Sequence, residues 1–240
     1  MIKIKNILFV IIVSLCSASY SQNMEIGMQS GIGFYNMKDL KKLNLSVFES
    51  LPFPARVIAD YPPYFYYKPG ILLSYKMFRI GLQTAFYSTG TRISSKDYSG
   101  EYLFDVKTSC VAPGAFIDIL LYSFYDRNKL SLFSEGGVVF SGLDMQENLN
   151  VGDLEVLNSS YSFKSLNYYF EPGVKFRRSI FNFASLELNA GYFFQFGKNP
   201  FESDQGNILG VGNTAIRPGW NGLRFGLSVL LSTPAGKSGD

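Results

Sequence analysis

The sequence predicts an all-β protein, an eight-stranded antiparallel up-and-down transmembrane β-barrel with short periplasmic turns and long external loops. Three observations point there. Eight segments alternate apolar and polar residues at every second position, and the connections between them are alternately short and long. A leader precedes the first segment, and no later stretch approaches the ~20 apolar residues of a membrane-spanning helix. A chain without such a helix enters a membrane only as a closed barrel, because an open sheet edge leaves backbone groups unpaired in lipid.

The leader reads MIKIKNILFVIIVSLCSASYSQ. Lys3 and Lys5 come first, then the apolar run Ile7 to Leu15, then Ser19 and Ser21. That order of basic, apolar and small residues predicts a signal peptide over residues 1–21, cleaved after Ser21. Residues 22–232 are then the barrel and 233–240 a polar C-terminal tail. A lipoprotein site at Cys16 is disfavoured by the bulky Leu15 before it. Cleavage leaves Cys110 as the only cysteine, so no intramolecular disulfide forms despite an oxidising export compartment.

The eight segments are 24–35, 64–76, 79–90, 102–122, 129–141, 163–177, 182–197 and 222–232. In the first, Met24, Ile26, Met28, Ile32 and Phe34 oppose Glu25, Gly27, Gln29, Gly31 and Gly33. In the sixth, Leu166, Tyr168, Phe170, Val174 and Phe176 oppose Asn167, Glu171, Gly173, Lys175 and Arg177. A side-chain period of two is that of a β-strand. The fourth segment changes phase: Tyr102, Phe104 and Val106 are even, whereas Ala115, Ile117 and Ile119 are odd. A bulge at Ala112-Pro113-Gly114 is expected to restore the facing. Short links fall at Met77-Phe78, Ser123 to Asn128 and Arg178 to Phe181. Long ones span 36–63, 91–101, 142–162 and 198–221, the order of a barrel that begins in the periplasm.

The polarity of the two faces separates a membrane barrel from a soluble one. A soluble barrel buries its apolar face, whereas a membrane barrel turns that face to lipid. Here charges share one face with glycine, which suits a narrow lumen. The predicted lumenal set is Glu25, Asp105, Asp118, Glu135, Glu171 and Glu187 against Lys68, Lys76, Arg79, Lys107, Lys175, Arg177 and Arg224. Near-balance predicts an interior ion-pair network, since buried charge is tolerated only when paired.

Composition closes several routes. The 22 Lys and Arg against 19 Asp and Glu give no footprint for nucleic acid. With no histidine, Ser-His and Cys-His nucleophile pairs and His-containing metal sites are excluded. No cofactor is expected. Gly210-Val211-Gly212-Asn213-Thr214-Ala215 matches a dinucleotide fingerprint, but no full strand precedes it and Pro218 breaks the helix that should follow. The acidic loop with Asp144, Glu147, Asp153 and Glu155 lacks EF-hand spacing, and Asn158-Ser159-Ser160 is a sequon without a use in a bacterial outer membrane.

The first long loop stands apart. Asn36 offers an N-cap, Asp39 an acid in the first turn, and Met37, Leu40, Leu43, Val47 and Leu51 follow at helical steps. The expectation is an amphipathic helix, either a lid on the barrel mouth or a docking loop for a partner. Tyr64, Phe65, Tyr66 and Tyr67 are expected in an interfacial aromatic girdle.

The runs "GIGFYNMKDLKKLN", "YPPYFYYKPGILLSYK", "STGTRISSKDYSGEY" and "YYFEPGVKFR" resemble the small outer-membrane barrels of the OmpA and OmpX type, and most closely the barrel-domain proteins of the Bacteroidota that include the PorT-like group. The resemblance covers the mature chain and implies a fold and a bacterial outer-membrane location. Many such proteins carry no assigned activity. One departure is the end of the last strand: Leu231 is followed by a polar tail, where such barrels close on an aromatic residue. The expected function is non-enzymatic: external loops that bind another envelope protein or support the envelope, with a secretion accessory among the roles and outer-membrane lipid as the surrounding partner. The alternatives are a narrow or gated channel, or an enzyme using Glu135, Glu171 and Glu187.

Overall fold

A computed structural model describes residues 23–98, 100–125, 127–152 and 154–232. The expected signal peptide (1–21) and tail (233–240) lie outside these residues, as does Asp153 of the acidic loop. Eight strands close into one ring: β1 (Asn23–Gly33), β3 (Tyr64–Tyr75), β4 (Phe78–Lys96), β5 (Gly100–Phe124), β6 (Asn128–Val151), β7 (Leu154–Phe181), β8 (Ala184–Phe196) and β11 (Gly222–Ser232). Each pairs antiparallel with its sequence neighbours in the ring, and β1 pairs with β11 to seal it. Helix α1 (Lys38–Ser50), the short strand β2 (Arg56–Asp60) and the two-residue strands β9 (Gly210–Val211) and β10 (Thr214–Ala215) fill the remaining connections. All eight predicted segments are strands.

The ring has an apolar outside. Ile80, Leu82, Ile117, Leu132, Val174, Leu188 and Leu227 stand exposed on consecutive strands. No water-soluble monomer leaves a continuous apolar belt of this size uncovered. The outward aromatics stack along the belt: Tyr67 on Phe86 at 5.1 Å and Phe181 on Phe183 at 5.5 Å between ring centroids. Tyr66 departs from the expected girdle. Strand alternation turns it inward, where it is buried between the exposed Phe65 and Tyr67.

The strands differ greatly in length. β6 has 24 residues against 13 for β8. At ~3.3 Å per residue and a tilt of about 40°, the difference lifts the β6–β7 hairpin about 25–30 Å above the short side of the ring. The predicted loops 91–101 and 142–162 are therefore mostly strand, closed by tight turns. The 198–221 connection crosses back and ends in the β9–β10 hairpin, whose Gly212 sits at φ +57. The dinucleotide-like motif is thus a two-strand turn.

Register also explains the phase change in β5. Val111 pairs with Phe140 and Gly114 with Gly137, three steps on each strand, so no residue is inserted at Ala112-Pro113-Gly114. The only shift in that ladder lies between Leu120 and Tyr122. The chain keeps its facing while the surroundings invert. Below Val111 the outward residues are lipid-facing Ala115, Ile117 and Ile119. Above it, Tyr102, Phe104 and Val106 point inward into an apolar core, and Asp105 and Lys107 point out to water.

Candidate functional site

The lumen is built from alternate residues of every strand, and it separates into layers. Near the turn end, Arg177 donates from Nη1 to Glu25 Oε2 at 3.0 Å and from Nη2 to Oε1 at 2.8 Å. Its Nε and Nη2 also reach Ser185 Oγ, at 3.0 and 2.7 Å. Arg79 bridges Asp118 and Glu187, the latter at 2.7 Å. Lys175 lies 3.7 Å from Asp118 and 3.6 Å from Glu187, with the rings of Phe116 and Phe133 at 4.5 and 4.6 Å. Three acids and three bases neutralise this layer.

Above it, Lys68 donates to Glu135 Oε2 at 2.8 Å and Glu171 Oε2 at 3.2 Å. Tyr169 OH donates to Glu135 Oε1 at 2.5 Å, and Gln83 donates to the same carboxylate. Arg224 contacts Glu171 at 3.1 Å and the hydroxyl of Tyr87. Its guanidinium lies between the rings of Tyr87 and Phe193, 3.8 and 3.7 Å from their centroids, a cation–π sandwich that replaces lost hydration. Two acids face two bases here.

Ten of the thirteen predicted lumenal charges lie inside, five acidic and five basic. Three do not. Lys76 is exposed in the turn after β3 at φ 50, and Asp105 and Lys107 face outward on the part of β5 that rises beyond the lipid belt. Between the layers, Lys68, Gln83, Lys175 and Glu187 line a space of about 20 Å³, room for roughly one water molecule. Glycine on the inner face makes these contacts possible. A Cβ on Gly226 would fall 2.6 Å from Tyr66 OH and 2.8 Å from Gln29 Nε2, where Gln29 donates to Tyr66 OH at 2.5 Å and Asn189 Oδ1 at 3.0 Å.

The extracellular end is closed by an apolar core. Trp220 is fully buried, donates Nε1–H to Ser141 Oγ at 2.9 Å, and meets the Tyr35 ring edge-on at 4.9 Å. The predicted helix is present as α1, and its spacing serves this core. Met37, Leu40 and Leu43 are buried, while Val47 and Leu51 pack partly buried against the same cluster. The predicted docking loop thus spends its apolar face on its own barrel. The N-cap is Met37 rather than Asn36, because the Asn36 N–H is held by the carbonyl of Asn221 at 2.9 Å in an extension of the β1–β11 ladder. Burial raises the Tyr102 hydroxyl above its ordinary range, aided by its 3.0 Å bond to Glu147, so it serves as a donor. Of the acidic-loop residues, Glu147 is engaged by Tyr102 and Asp144 stands exposed on β6. Among the described residues no cluster of metal-ligating side chains occurs.

A feature that sequence reasoning missed is the free edge of β7. Residues 168–181 pair with β8, and Lys164 forms an isolated bridge with Glu202. Among the described residues nothing pairs the outer edge of Leu154 to Phe163, whose Leu154, Val156 and Tyr161 side chains are exposed. Its alternation alone could not reveal this, because a free edge depends on where the neighbouring strand stops.

Apolar side chains outside, neutralised charge inside, and both terminal strands paired at the short-turn end define a transmembrane β-barrel of the bacterial outer membrane. Solved structures with a similar course include a major outer membrane protein from Thermus thermophilus, at 12% identity and TM-score 0.48 over 86% of this chain and 99% of that one. Ail, the attachment invasion locus protein of Yersinia pestis, matches at 8% identity and TM-score 0.43 over 89% and 99%. The outer membrane protein OprG from Pseudomonas aeruginosa matches at 11% and 0.41 over 89% and 96%. At this distance none of them bears on activity or partner. No protein-family model and no curated protein matches the chain.

Proposed function

We propose that this barrel is a non-enzymatic outer-membrane protein whose raised β4–β7 sheet captures an extended segment of a partner protein along the free edge of β7. The observation that carries this reading is the unpaired stretch Leu154 to Phe163. It contains no proline, glycine, lysine or arginine, the residues by which sheets ordinarily protect an edge. The opposite edge of the raised sheet differs, since β2 covers Thr91 to Ser94 of β4. Strand addition supplies main-chain hydrogen bonds, and the alternating exposed side chains supply selectivity.

The non-enzymatic part of the reading rests on the carboxylates. Glu135, Glu171 and Glu187 are each occupied by ion pairs in a filled lumen. Export through a signal peptide cleaved after Ser21, likeness to the PorT-like group of the Bacteroidota and a role as secretion accessory belong to the same proposal. N-terminal sequencing of the mature protein and the identity of its gene neighbours read these directly.

The test is co-purification from detergent-solubilised membranes with Ser160→Pro and Tyr161→Lys variants, compared with Leu45→Ala on exposed α1. Partners should be lost from the first two and kept by the third. An unchanged set in all three removes the edge from the function.

A further inference from the structure

The outward face of the raised sheet holds a concavity of about 670 Å³, separate from the lumen, with Ser160 of β7 among its lining residues. It begins where the lipid belt ends. On β5, β6 and β7 the lipid-facing apolar residues run up to Val111, Phe140 and Leu166, and the next outward positions are Ser109, Gly142 and Lys164, followed by a polar floor; exposed apolar side chains return farther up, at Val151 of β6 and at Leu154, Val156 and Tyr161 of β7. The groove therefore opens just above the acyl chains, at the height of membrane headgroups.

Its chemistry is mixed and neutral. Arg92 donates from Nε to Asp105 Oδ1 at 2.5 Å and from Nη2 to Oδ2 at 2.7 Å. Lys107 stands opposite Asp144 in the β5–β6 ladder, and Gln146 opposite Asp105. Tyr64, 42% exposed, forms part of the wall. We propose that this groove binds a hydroxyl-rich saccharide. An isolated phosphate would meet Asp105 and Asp144, a cation would meet Arg92 and Lys107, and an apolar ligand would find little besides Tyr64 and Ile58. Sugar hydroxyls donate to carboxylates while accepting from guanidinium, ammonium and amide groups, and the C–H face of a pyranose packs on an aromatic ring. The Arg92–Asp105 fork fixes both side chains beforehand, so little rotamer freedom is lost on binding. The saccharide comes either from the head of a glycolipid in the same leaflet or from a free oligosaccharide.

The test uses the full-length barrel in phospholipid nanodiscs. One arm titrates it calorimetrically with dephosphorylated core oligosaccharide of lipopolysaccharide, and a second uses nanodiscs that contain the intact lipopolysaccharide. Asp105→Asn and Asp144→Asn should each weaken binding about tenfold, with Leu45→Ala unchanged. Because the site is neutral, affinity should vary less than about twofold between ~50 and ~500 mM salt. Both Asp side chains lie on the outer surface of the sheet, so folding survives the substitutions, which the heat-shifted mobility of the folded barrel on gels verifies. Binding in both arms supports a saccharide site; binding in the second arm alone, lost in the same variants, supports it and identifies the leaflet as the source. Binding that requires phosphate or collapses in salt overturns the proposal, as does no binding in either arm.

Discussion

Arg177 on β7 and Glu25 on β1, 152 residues apart in sequence, meet in a two-point ion pair at 2.8 and 3.0 Å inside the barrel. β7 and β1 are not adjacent in the ring, with β8 and β11 between them on one side. The pair therefore spans the lumen and exists only once the ring has closed.

Breaking it should be costly. Arg177→Met leaves Glu25 buried with the longer 3.7 Å contact to Arg79 as its remaining ion pair, beside a 3.3 Å hydrogen bond from Ser74 Oγ, and loss of one partner of a buried pair costs about 3–5 kcal/mol. Urea unfolding in lipid vesicles should show that loss. The double variant Glu25→Gln with Arg177→Met should recover more than half of it, because no unpaired charge remains. Equal losses in the single and double variants would contradict this account.

The belt predicts a depth-dependent penalty. Leu188 is 57% exposed in the middle of β8, and Leu188→Arg should destabilise the barrel by about 2–4 kcal/mol in vesicles, as arginine does near a bilayer midplane. Ser88→Arg, on the water-facing part of β4, should cost less than about 0.5 kcal/mol. Similar penalties at both sites would mean that the belt does not face lipid.

Helix α1 should melt by itself. Leu40 is fully buried beneath it, and Leu40→Ala should cost about 2–5 kcal/mol through the lost contacts and the cavity left behind. The loss falls on the extracellular cap, which is joined to the lipid-embedded ladder by few elements. Hydrogen exchange should therefore accelerate in Lys38–Ser50 while the amides of β8 stay protected. Leu45→Ala, on the solvent side, should change neither.

The filled lumen predicts electrical silence. Two neutralised charge layers, the Arg224 sandwich and the Trp220 core lie one above another along the axis, with about 20 Å³ between the charge layers. Planar-bilayer recordings of the purified protein should show no sustained unitary steps. Steady conductance would restore the channel reading.

Much of the barrel was legible in the chain because alternation at period two reports the difference between lipid and lumen directly. Met24 to Phe34 and Leu186 to Phe196 carry that difference along their whole length, broken at Ser30 on the outer face and Phe193 on the inner one, and Glu171, Lys175 and Arg177 carry it too. The errors cluster where the environment changes along one strand. At Tyr102 to Val106 the pattern inverts because water replaces lipid outside and an apolar core replaces charge inside. A sequence reading assumes constant surroundings, so it assigned a bulge that the register lacks and placed Asp105 and Lys107 in the lumen. Lys76 failed for a different reason, since parity continues on paper into a turn where the backbone no longer alternates.

The sequence by itself determined the number of strands, their facing within the membrane, the helix in the first connection and the need for opposite charges to neutralise one another, because each follows from local periodicity and the cost of burying charge. Only the tertiary structure decided which acid meets which base, how far the β4–β7 sheet rises, and which stretch of β7 has no neighbour. Those depend on ladder register and on where adjacent strands end, and distances across a closed ring are set by all eight strands together.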